Sequence, residues 1–175
     1  NRKKALAQSI VGVSTTAGVV VGAVPVPFAD ALILSPIEVA EINALAQVYG
    51  INKNEESKQF FNSIVEVGTV STAAKAVISG LKAIPGVNLA AGIVNAIIAG
   101  SFVAAIGEGT IYAFEQVYLG KKTVEDIDWI KKVMESKLST EFIEKVTLAA
   151  KQITENTDKK VIGKIILELF TAKNK

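Results

Sequence analysis

The chain has 175 residues, with 19 basic and 17 acidic side chains, a net charge of +2 at pH 7, and neither cysteine nor histidine. That balance leaves no electrostatic footprint for nucleic acid, and the missing residue types exclude Ser-His-Asp and Cys-His nucleophile systems, disulfides, and the usual zinc, copper and haem ligand sets. Half of the residues are hydrophobic but only 6% are aromatic, and the mean hydropathy is +0.39; apolar weight carried by Ala, Val and Ile favours close helix packing over a sheet sandwich.

Charge is unevenly placed. No charged residue occurs from Ala5 to Ala29 or from Ala83 to Gly107, whereas Lys121 to Lys175 mixes Lys with Asp and Glu. Arg2, Lys3 and Lys4 ahead of an apolar run resemble the head of a signal peptide, but the run continues past any cleavage pattern, so the chain reads as a piece of a longer protein.

The first expected helix is Ala5 to Ala23. Ser14, Thr15, Thr16 and three glycines lower its intrinsic preference, so packing has to hold it. Pro25 and Pro27 end it, because they lack backbone donors and push Val24 and Val26 out of helical geometry. Phe28 opens a short apolar stretch whose one charge, Asp30, is read as an acceptor for turn amides rather than a ligand. Ser35 is the expected N-cap of the next helix, with Pro36 at its first position and Glu38 closing a capping box. That helix runs to Tyr49 and stops at Gly50.

After a polar loop, NKNEES, the residues Phe60, Phe61, Ile64, Val65, Val70, Ala73, Val77 and Leu81 keep helical spacing, with a break at Gly68. NKNE has a superficial likeness to a guanine-reading motif and is discarded, because the chain contains no GxxxxGK[ST] phosphate loop. Pro85 and Gly86 mark a second turn, and Val87 to Tyr118 reads as one helix of roughly 45 Å. Gly92, Ala96, Gly100 and Ala104 form a small-residue stripe on it, against which another helix can pack closely. Asn88 and Asn95 share a face and are expected to hydrogen-bond between helices. Glu108 and Glu115 also share one, read as a solvated edge rather than an acid-base pair.

The two halves align at a constant offset. Val19, Gly22, Val26, Pro27 and Ala31 fall opposite Val77, Gly80, Ile84, Pro85 and Leu89, and Gln47-Val48-Tyr49 recurs as Gln116-Val117-Tyr118. Each half then reads as helix, Pro turn, helix, with the second lengthened by about three turns; chance agreement among Val, Ala and Gly is the competing explanation. Beyond Gly120 three amphipathic helices follow. Thr123 is expected to cap the first, with Glu125 and Asp126 in its opening turn. Ser139 starts the second, with Phe142, Val146 and Ala149 inward. Ile162, Ile166 and Phe170 face inward on the third.

The order VPVPFAD, SPIE, ALAQVYG, KAIPG and a long Ala/Gly/Ile-rich helix through AAIGEGT resembles the helical domain of unknown function found C-terminal to Era-like bacterial GTPases, and is similar to part of YcjF-type inner-membrane proteins. The resemblance covers roughly residues 10 to 120. It implies context rather than chemistry: an upstream GTPase domain in cis, and association with a membrane.

Val87 to Gly107 is long enough to cross a bilayer. Its Val, Leu, Ile and Phe residues supply only about −4 kcal/mol on the insertion scale, before two Asn, a Ser and three Gly are charged against it. Burial in a protein core is worth on the order of 15 to 25 kcal/mol gross. The expected fold is therefore an all-α bundle built on two Pro-turn hairpins around a long, buried apolar helix. Residues 1–120 are the GTPase-associated domain and 121–175 an amphipathic extension packing on it. The expected function is that of a non-catalytic accessory domain, with no catalytic residue, cofactor or metal, no nucleic-acid partner, and membrane lipid or a second copy as partner. Its expected place is the cytoplasm, at the inner face of a bacterial membrane. The alternative is a stand-alone pore-forming protein.

Overall fold

A computed structural model describes residues 2–22, 36–69 and 91–171. These residues form seven helices and no strand: α1 (Arg2–Gly22), α2 (Pro36–Tyr49), α3 (Lys58–Thr69), α4 (Ala91–Tyr118), α5 (Ile127–Lys137), α6 (Thr140–Gln152) and α7 (Lys159–Thr171). The expectations attached to Pro25, Pro27, Phe28, Asp30, Ser35, Pro85, Gly86 and Asn88 lie outside the described residues, as do the second-half repeat positions from Val77 to Leu89.

α1 begins three residues earlier than the apolar run suggested. Long unbranched Arg and Lys side chains are good helix formers, and Lys3 Nζ donates to the Val48 carbonyl at 3.2 Å. That carbonyl belongs to the last turn of α2, where a cation also meets the negative end of the helix dipole. α2 opens at Pro36 and closes in a Schellman motif. Ile51 N–H donates to Ala46 O (2.9 Å) and Gly50 N–H to Gln47 O (3.3 Å), with Gly50 at φ +68°. α4 ends the same way at Gly120, where Lys121 N–H donates to Gln116 O and Gly120 N–H to Val117 O, both at 3.0 Å. The repeated Gln-Val-Tyr thus ends two helices with one hydrogen-bond pattern, although Leu119 shifts the second by one residue.

Thr123 does not cap α5. Asp126 Oδ2 accepts from Thr123 N–H at 2.8 Å, and Thr123 Oγ1 accepts from Glu125 N–H at 3.2 Å. These bonds tie 123–126 into a tight turn and start the helix at Ile127. The Asp126 carboxylate is spent on Thr123 and makes no cap bond of its own.

α4 is the centre of the bundle. It packs against α1, α2, α5, α6 and α7, and Phe114 reaches α3, lying 6.2 Å from Phe60 and 5.7 Å from Phe61 between ring centroids. Of its apolar window 83% is buried, against 28% for α1, although both helices are long and apolar enough to cross a membrane by length and composition. α1 runs antiparallel to α4 at very close range. A Cβ on Gly100 would lie 2.5 Å from Val19 Cγ2, and one on Gly18 would lie 2.8 Å from Val103 Cγ2 and 3.5 Å from Gly100 Cα. The two glycines face each other, which lets the backbones approach and gives the interface its dispersion energy.

Ala96, Gly100 and Ala104 are buried and Gly92 is half-buried, but the residues of α4 nearest α1 are Gly100, Val103 and Gly107. α2 lies parallel to α4, with Glu41 at Gly107 and the Tyr49 ring 6.2 Å from that of Tyr118. The C-terminal helices close the other side. Phe142 sits 5.0 Å from Phe102 and 5.7 Å from Phe170, and Ile130, Met134, Val146, Ala149, Ile162 and Ile166 are buried with them.

Candidate functional site

Two features of the bundle are not accounted for by packing alone. One is the outer face of α1. Leu6, Val13 and Val20 are 55%, 74% and 46% exposed, and Val21 is 53% exposed. Leu6, Val13 and Val20 recur at seven-residue spacing, so they form a nearly straight apolar stripe along one side of the helix. No charge interrupts it between Ala5 and Gly22, and exposed Arg2 stands at its head. Soluble helices ordinarily place their polar residues on this side.

The other is an acidic cluster between α1, α2 and α4. Glu38 and Glu41 are 6% and 1% exposed, and Glu108 is half-buried. Neither oxygen of Glu41 has a hydrogen-bond partner among the described residues. Its carboxyl fills a niche made by a glycine: a Cβ on Gly107 would sit 2.8 Å from Glu41 Oε2 and 2.7 Å from Val11 Cγ2. Burial pushes the Glu41 carboxyl well above its ordinary value, and the charges of Glu38 and Glu108 push it the same way. Glu108 is raised too, by burial, against the lowering effect of the Gln8 hydrogen bond and of Lys137, Lys145 and Lys4. Gln8 Nε2 donates to Glu108 Oε2 at 3.3 Å, while Oε1 is buried without a partner. Tyr49, whose hydroxyl is likewise unpartnered, has its phenol raised by burial and by Glu115 and Glu108.

Glu108 is thus half-buried rather than fully solvated. Residue 108 lies where α1 and α4 converge, and its Oε1 is sealed from water. It forms the floor of a cleft of about 370 Å³ that also takes in Glu115, Lys4, Lys137 and Lys145. Among the described residues no three acidic side chains converge as a metal site would require. Asn95 is buried, and its Oδ1 has no partner among the described residues, which thus do not supply the expected interhelical bond through that oxygen. Pro36 and Gly50 stand at the two ends of α2.

Glu41 was not singled out from sequence, although a signal existed. The inward stripe of α2, Tyr49, Leu45 and Ile42, continues toward its N-terminus through Glu41 and Glu38 at the same three- and four-residue spacing, placing two acids on core positions.

The architecture defines a class: an α-helical bundle domain around one buried apolar helix. The chain belongs to the family described as Domain of unknown function (DUF697), whose model matches residues 1–141. The match runs past Gly120 into the first turn of α6. Comparison with curated proteins and with solved structures returned no match.

Proposed function

We propose that this domain is a non-catalytic accessory module of an Era-like GTPase, which it couples to a membrane surface. The observation that carries this reading is the outward apolar stripe of α1. Four roughly half-exposed side chains offer about 3 to 6 kcal/mol of gross burial, the scale of a reversible peripheral attachment rather than a permanent one. Arg2 at the head of the stripe suits an anionic headgroup layer. The bundle that buries α4 explains why one apolar helix stays inside while the other is presented outward. The GTPase half rests on the motif order around VPVPFAD, ALAQVYG and KAIPG, and the nucleotide site belongs to an upstream domain.

Co-sedimentation with vesicles containing anionic lipid tests the membrane half. Wild type is expected to pellet with them, and Val13→Glu to stay in solution with an unchanged melting temperature, since Val13 is 74% exposed. Equal pelleting of both proteins would remove the α1 reading. A reading frame encoding a phosphate loop upstream of Asn1 supports the GTPase half, and a frame that starts near Asn1 counts against it. The presence of two helices long enough to span favours one competing reading, a pore-former, which predicts dye release from the same vesicles.

A further inference from the structure

Among the described residues, nothing stabilises a negative charge on Glu41. Among the described helices, α2 packs chiefly against α1 and α4. The charges acting on Glu41 are those of Glu38, one turn earlier on α2, and Glu108 on α4. From α1 the niche receives the apolar Val11, while Gln8 and Lys4 face Glu108 instead. Lys137 and Lys145 also act on Glu108, from the cleft side. An ionised Glu41 would therefore meet two like charges and, among the described residues, no donor, in a buried niche; burial and those charges favour its neutral form. Among the described residues no three acids are arranged to hold a metal, and the cation argued for at this niche is a proton.

The helix that carries this carboxyl also has somewhere to go. Along its flank a cleft of about 600 Å³ is lined by Val39, Ile42 and Asn43 of α2 and by Phe61, Asn62 and Val65 of α3. At its C-terminal end Gly50 already occupies a left-handed conformation, the backbone region where a chain pivots without side-chain strain. α2 is fastened to the bundle by Ile42, Leu45, Ala46 and Tyr49, with the niche for Glu41 at their N-terminal edge.

We propose that Glu41 is a proton-operated latch: the neutral carboxyl seats α2 against α1 and α4, and loss of its proton releases α2 toward the α3 cleft. Opening lets the carboxylate reach water, so the open state binds one proton fewer and is favoured as pH rises. The latch sets when the apolar faces of α2, α1 and α4 become available to a partner, and it stands independently of what α1 docks to.

Hydrogen exchange of the full chain, corrected for intrinsic rates, tests this from the ordinary glutamate value of 4.5 upward. In the wild type, protection of α2 amides should fall by up to about tenfold per pH unit, while α4 amides keep theirs. Glu41→Gln should leave α2 protection independent of pH, and Glu41→Met, neutral and of similar length, should do the same if Gln does not fold. A wild-type α2 insensitive to pH, or a Gln variant that follows the wild type, overturns the latch. Difference infrared spectra recorded across the same pH range give a second readout. The neutral-carboxyl stretch should be present in the wild type and lost in Glu41→Gln; its absence from a wild type whose α2 is still protected also overturns the proposal.

Discussion

Replacing Gly100 tests the packing at the heart of the bundle. An added Cβ would lie 2.5 Å from Val19 Cγ2, 3.1 Å from Ile166 Cδ1 and 3.6 Å from the Thr15 carbonyl, whereas carbon pairs rest at about 3.5 to 4.0 Å. Ile166 presents the flexible end of its side chain and gives way. Val19 is fully buried and β-branched, with little rotamer freedom in a helix, so α1 itself has to retreat. A gap of about 0.5 to 1 Å along that interface forfeits a quarter to a half of its dispersion contacts. Overpacking of this kind costs about 1 to 3 kcal/mol, against which Gly→Ala in a helix gains about 1 kcal/mol.

Gly100→Ala should therefore lose up to about 2 kcal/mol, and Gly100→Leu about 3 kcal/mol. At roughly 2 to 4 °C per kcal/mol for a chain of this size, melting falls by several degrees for Ala and about 6 to 12 °C for Leu. Gly12→Ala is the control. Among the described residues its one neighbour within 4 Å is Leu167 Cδ2 at 3.3 Å, the far end of a flexible side chain, so propensity should win and the melting temperature should rise slightly. Thermal melts followed by circular dichroism read all three. If Gly100→Ala stabilises as Gly12→Ala does, the close approach of α1 to α4 is wrong.

The Glu41 carboxyl is raised in the folded state, so the native chain holds more protons than the unfolded one and stability falls as pH climbs from 4.5 through the raised value. Glu41→Gln should melt above wild type at pH 7 and level with it below 4.5, a pattern that melts across that range would check. Lys3→Met should lose the bond to the Val48 carbonyl and the ammonium that lies 5.0 Å over the Tyr118 ring; about 1 kcal/mol in urea titration is expected. Phe114→Ala empties the place where Phe60 and Phe61 meet α4, with an expected cost of about 3 to 5 kcal/mol by the same titration.

The all-α class and the inward faces of α5, α6 and α7 were readable because charged residues alternate there with apolar ones at helical period. Ile130, Phe142, Val146, Ile162 and Ile166 are all buried. α1 is different. A run without charge has no polar side to mark as outward, so only the tertiary arrangement decides that Val11 and Val19 face α4 while Val13 and Val20 face solvent. The start of α5 was misplaced because Thr123 and Asp126 serve a cap and a turn equally well in sequence. The acidic cluster escaped notice because periodicity counts apolar residues, and an acid within an apolar stripe looks like a gap in the pattern. Its meaning emerges only when α4 brings Gly107 and Glu108 to the same place.

The membrane-facing role proposed for α1 can be tested with a single label, because the chain contains no cysteine. A polarity-sensitive fluorophore on Val13→Cys should report transfer into an apolar layer when vesicles of anionic lipid are added, and the same fluorophore on Glu144→Cys, at an exposed position of α6, should remain in water. A Val13 label that stays hydrated in the presence of lipid, or two labels that respond alike, would contradict the claim that this helix face is where the domain meets its membrane.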